Sequence, residues 1–89
     1  MKIYVSVLRK DKQEGQIDIV LGGPTLNFDV KPETTIIDIK NMIYQKEYIP
    51  VNEQILVYKN EALLDNNTLE YYNITNLVTI HQLYYFIKR

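Results

Sequence analysis

Cysteine and tryptophan are absent from this chain, and histidine occurs once, at His81. Without cysteine there is neither a disulfide framework nor a thiolate metal site, which suits a reducing compartment, so a cytoplasmic or nuclear location is expected. One histidine, with no serine or acid placed beside it, cannot make a triad or a zinc site. The expectation is therefore no enzyme, no catalytic residue, no metal and no cofactor. No apolar run approaches the length of a membrane span, and the opening MKIYVSV alternates instead of forming a signal-peptide core. Concentrated positive charge is lacking too. The ten basic residues are scattered and the net charge is −1, so neither nucleic acid nor an anionic membrane is the expected partner.

What is present is an ordinary globular composition, 46% hydrophobic and 24% charged, in 89 residues that make a single domain, 1–89, with one modest core. A monomer is expected. The stretch Thr34 to Pro50 organises the rest. Thr35 is a good N-cap, and Asp38 three residues on completes a capping-box pair at the positive end of the helix dipole. Ile36, Ile39 and Ile43 form one stripe at the helical period. Pro50 cannot continue the helix, so the pattern predicts a helix over about 36–47. A helix this short is marginal alone and needs a surface to cover.

Strands supply that surface. Ile3, Val5 and Val7 alternate with β-favouring neighbours over Lys2 to Leu8. Arg9 to Gln16 reads as a charged, solvated loop, with a specificity loop as the functional alternative. Ile17 to Leu21 is a second β-prone run ended by a turn at Gly22-Gly23-Pro24. No helix follows those glycines, so they are no phosphate-binding loop. Leu26, Phe28 and Val30 alternate in a third strand that Pro32 stops. Gln54 to Lys59 is a strand turning at Lys59-Asn60, where asparagine accepts positive φ. Ala62 to Leu64 is a short strand, Thr68 caps a brief turn after the loop 65–67, and Val78 to Tyr85 is the last strand. One helix with an apolar stripe and strands with one apolar face bury both when packed together, an α+β roll.

From Leu26 to Tyr85 the chain resembles ubiquitin and its relatives without a gap. The matching pieces are Val30-Lys-Pro, Thr35-Ile-x-x-Ile-Lys40, Lys46-Glu-x-Ile-Pro50, Gln54 and Leu56. They continue through Leu63, Asp65, Thr68-Leu69, Tyr72-Asn-Ile74 and Thr79-Ile-His81. Met1 to Leu8 resembles the family's first strand. Between them, at about 9–25, lies extra sequence that either lengthens the first hairpin or adds an edge element. The resemblance implies a ubiquitin-like β-grasp roll, a mixed sheet packed on one helix, with the first and last strands parallel and adjacent in its centre.

Further details follow from that resemblance. Lys40, near the buried side of the helix, is expected to pair with Asp65, since an ammonium taken from water needs a carboxylate. Tyr72 is expected to bury its ring and place its hydroxyl on a backbone amide near Leu64. Asn73 suits a left-handed backbone position. Tyr48 departs from the family, which has glycine at the helix end, so a local difference is expected there. The family's apolar docking patch falls on Val57, His81 and Leu83. Alternation independently turns His81 and Leu83 outward if Val78 and Ile80 face in, although it also turns Gln82 inward. In each of the pairs Tyr71-Tyr72 and Tyr84-Tyr85, one ring is expected on the core and one in solvent, where a tyrosine can anchor an interface.

Modifiers of this family end in Gly-Gly, whereas this sequence ends LYYFIKR, and Ile55, Tyr85 and Ile87 stand where the family has its activation arginines. Lys40 and Lys46 match linkage lysines, but Met42, Glu61 and Asn76 replace others. The expectation is a non-covalent interaction module whose protein partners belong to the ubiquitin–proteasome or a related signalling system. Ubiquitin-binding helices and proteasome receptors are candidate partners. The alternatives are a β-grasp scaffold within a larger protein, or a modifier truncated before its Gly-Gly tail.

Overall fold

The computed structural model describes the backbone of residues 1–12 and 19–87 and the side chains of residues 1–8 and 22–83. In chain order these form β1 (Lys2–Lys12), β2 (Ile19–Asp29), α1 (Ile36–Glu47), a single 3₁₀ turn (Val51–Glu53), β3 (Ile55–Tyr58), β4 (Glu61–Ala62) and β5 (Thr79–Ile87). The sheet order is β2-β1-β5-β3-β4. The parallel pair β1–β5 lies at its centre, running from Tyr4↔Thr79 to Lys12↔Ile87. The core is one layer between sheet and helix. Ile3, Val5, Phe28, Leu56 and Ile80 from the strands meet Ile36, Ile39 and Ile43 from α1, with Leu63, Leu69 and Ile74 closing the end. This is the β-grasp α+β roll.

Helix α1 starts and stops on local chemistry. Thr35 Oγ1 accepts from the Asp38 amide at 3.3 Å, and Asp38 Oδ2 accepts from the Thr35 amide at 3.2 Å. The remaining free amides of the first turn are met from outside, Ile36 N–H donating to Asn67 O and Ile37 N–H to Asp65 O. The segment 65–70 is thereby laid across the helix start. At the other end Tyr48 takes the left-handed conformation itself, φ 57°, with its amide on the Tyr44 carbonyl. The expected local difference does not occur. The tyrosine accepts the glycine-like geometry, at a cost on the order of 1 kcal/mol, and its exposed ring packs edge-on against Tyr44.

The first hairpin departs from the sequence reading. β1 does not give way to a loop at Arg9 but continues to Lys12, and β2 runs unbroken through Gly22-Gly23-Pro24, which is no turn. The reason lies in the pairing. Ser6 faces Thr25 and Leu8 faces Gly22, so Gly23 and Pro24 together oppose Val7 in a β-bulge. A Cβ on Gly23 would lie 2.7 Å from the Val7 carbonyl oxygen, so only glycine fits this close approach. Pro24, lacking an N–H, is tolerated because β2 is an edge strand and the bulge leaves it outside the ladder. Of the two possibilities for the extra sequence, residues 19–25 lengthen the hairpin. The loop and specificity readings for residues 13–16, and the β-prone Ile17 and Asp18, lie outside the described residues.

Smaller boundaries shift as well. The strand expected at Ala62 to Leu64 is Glu61–Ala62, because Lys59 and Asn60 both take positive φ (51° and 62°) and close a two-residue hairpin loop. The last strand extends to Ile87, held by β1.

A candidate docking face on the sheet

Period-two alternation sends every second strand residue to the face away from the helix, and the cross-strand register decides which of these meet. Val57 stands directly opposite His81 in the β3–β5 pair, and Ile55 opposite Leu83. On the other side of β5, His81 is beside Ser6 and Leu83 beside Leu8. Val57 also faces Ala62, and Ser6 faces Thr25. Two rows therefore cross the outer face. One reads Thr25, Ser6, His81, Val57, Ala62, polar at the β2 end and apolar at the β4 end. The next reads Gly22, Leu8, Leu83, Ile55, without a charge. His81 is exposed, Val57, Leu83 and Leu8 are half-buried, and Ile55 is 38% exposed.

The structure thus brings Val57, His81 and Leu83 together and adds Leu8 and Ile55, which the sequence reading left out. Their signal was available: Leu8 has the same parity as Ser6, and Ile55 stands two residues before Val57.

Beneath this face the strands turn inward at Val7, Leu56, Ile80 and Gln82. Gln82 is fully enclosed, with its Nε2 donating to the Leu83 carbonyl at 2.7 Å. Its Oε1 meets no partner among the described residues.

Lys40 Nζ lies 2.6 Å from Asp65 Oδ1, the two side chains being 11% and 48% exposed. The helix places the ammonium at the rim of the core, and the segment 65–70 brings the carboxylate over it from the solvent side. Tyr72 anchors that segment from below, its half-buried hydroxyl accepting from the Leu64 amide at 2.8 Å and from Asn67 Nδ2 at 3.1 Å. Asn73 takes φ 56°. Tyr71 is exposed and packs edge-on against Tyr72. The ring positions of Tyr84 and Tyr85 lie outside the described residues. Among the described residues no three His, Cys, Asp or Glu side chains are grouped to hold a metal.

A mixed five-stranded sheet packed over one helix defines a β-grasp domain. Sequence comparison specifies the class further. The model of the ubiquitin family matches residues 5–84, and the chain belongs to that family. It is 34% identical over 65 residues to the ubiquitin domain-containing protein DSK2 of Saccharomyces cerevisiae, covering 73% of this chain and 17% of DSK2. It is 39% identical over 49 residues to the UV excision repair protein RAD23 homolog of Dictyostelium discoideum, covering 55% of this chain and 14% of that one. Ubiquitin-like protein 1 of Schizosaccharomyces pombe is 28% identical over 61 residues, covering 68% of this chain and 78% of its own. The chain matches less than a fifth of the length of the first two relatives.

Proposed function

We propose that this domain is a non-covalent interaction module of the ubiquitin–proteasome system, working in the cytoplasm or nucleus, and that partners dock on Val57, His81 and Leu83 with Leu8 and Ile55 beside them. The observation that carries the reading is the register of β3 and β1 on β5, which sets Leu83 between Leu8 and Ile55 one row away from the Val57–His81 pair. Contiguous apolar surface rimmed by polar residues is what a protein-binding site offers. Kinship with ubiquitin domain-containing proteins supports the pathway. The fitting partner element is an apolar helix or loop. Desolvating the face favours binding at about 25 cal/mol per Å² of apolar area. Association and ordering costs leave a weak, transient complex.

The test is an NMR titration with ubiquitin-binding helical peptides and with a proteasomal receptor domain, repeated on Val57→Asp. Shifts should cluster on residues 8, 55, 57, 81 and 83 and vanish in the variant. A surface that stays silent, or binding that maps to residues 9–25, would instead favour a scaffold role.

A further inference from the structure

His81 stands in the middle of its row on the outer face, with Ser6 of β1 on one side and Val57 of β3 on the other. Thr25 and Ala62 lie beyond them. It is exposed, and it is the chain's one histidine. Histidine is the side chain that changes charge between pH 5 and 8. Its surroundings decide which of the two forms a docked partner can cover.

Within its own row and the rows on either side, the described residues hold no carboxylate. Along β5 the residues of the same parity are Thr79 and Leu83. On β1 they are Tyr4, Ser6 and Leu8, and on β3 Ile55 and Val57, with Lys59 at the turn two residues further on. β2 adds Asn27, Thr25 and Gly22, and β4 adds Ala62. Helix α1 packs on the other side of the sheet. The acids lie elsewhere: Asp29 is two rows away, opposite Lys2, and Glu61 has the opposite parity to Ala62. The charged neighbour that remains is Lys59, itself a cation, with its Nζ 5.4 Å from the centre of the Tyr58 ring.

We infer that His81 gates docking by its charge: the face binds an uncharged apolar partner while the imidazole is neutral and releases it as the ring gains a proton. The inference rests on the docking reading above and adds its regulation. A partner laid across Val57 and Leu83 also covers the histidine beside them. Covering a neutral ring adds little cost, but covering an imidazolium without a counter-ion is expensive, and Lys59 offers repulsion instead of relief. The bound state therefore holds fewer protons than the free one. Affinity is full above the range in which the ring titrates and falls with pH through it, by up to about tenfold per pH unit for one excluded proton.

The experiment is an NMR titration of the chain at about pH 7.5 and about pH 5.5. The probe is an end-capped amphipathic helical peptide of leucine, alanine and glutamine. It has no titratable group, so any pH dependence belongs to the chain. The dissociation constant is expected to rise about tenfold at the lower pH. By reciprocity, the His81 ring signals should titrate at a lower pH in the complex than in the free chain. His81→Phe should abolish the pH dependence, whatever its affinity, and His81→Lys should bind as weakly at both pH values as the unaltered chain does in acid. Should either substitution disturb the sheet, the ring titration of the unaltered chain decides. Binding that is equal at the two pH values, or tighter in acid, overturns the inference and leaves the docking reading standing. A pH dependence that persists in His81→Phe overturns it too, by assigning the effect to another group. No binding at either pH overturns the docking reading and this inference with it.

Discussion

Two buried glutamines, in two regions of this small core, are used in opposite ways. Gln54 sits where the 3₁₀ turn enters β3, and its Nε2 donates to the Lys40 carbonyl at 2.9 Å and the Ile49 carbonyl at 3.0 Å. It joins the helix, the loop behind it and the sheet. Gln82 sits in the middle of β5, in register with Leu56 and Val7, and its one bond goes to the carbonyl of its own neighbour Leu83. Both leave Oε1 without a partner among the described residues. A buried amide therefore stabilises according to what its bonds connect. At Gln54 they tie separate segments together; at Gln82 the one bond stays within β5.

The contrast is broken most directly at the first site. Gln54→Leu should orphan the enclosed Ile49 carbonyl and take from the Lys40 carbonyl its second bond, beside the helical one, at a cost of about 2–3 kcal/mol. On an 89-residue domain that lowers the melting temperature by more than about 10 °C. A loss within about 1 kcal/mol would mean that the corner is held by its apolar contacts alone.

Lys40 belongs to the same corner, its carbonyl held by Gln54 and its ammonium by Asp65. Asp65→Asn should cost about 1–2 kcal/mol, less than a fully enclosed pair because the carboxylate is half in water. Combining it with Lys40→Met should recover most of that loss in a double-mutant cycle, whereas simple additivity would show the two groups to be uncoupled.

Gln82→Leu carries the opposite sign. Removing an unmatched buried oxygen should stabilise the domain by about 1 kcal/mol, visible as a higher urea midpoint at unchanged slope. A loss of stability would show that the bond to the Leu83 carbonyl outweighs the unmatched oxygen.

The smallest effect belongs to the helix end. Tyr48→Gly relieves a left-handed tyrosine but gives up the edge contact with Tyr44. The net gain should stay below about 1 kcal/mol.

The sequence by itself determined the helix from Ile36 to Glu47, because a threonine cap, an isoleucine stripe and a proline act within a few residues of one another. It also determined the phase of β5, since alternation needs no partner: Ile80 in, His81 out, Gln82 in. Contacts between Lys40 and Asp65, or Tyr72 and Leu64, became legible only through the family resemblance, the first pair being 25 residues apart. Tertiary structure alone decided the first hairpin. Gly22-Gly23-Pro24 has the local chemistry of a turn, and only pairing with Ser6 to Leu8 makes it a bulge in a continuous strand. The same holds for Leu8 and Ile55. Parity turns each outward, but their place beside Leu83 depends on the register of two strands on a third, and register is set by the whole sheet closing over the isoleucine stripe.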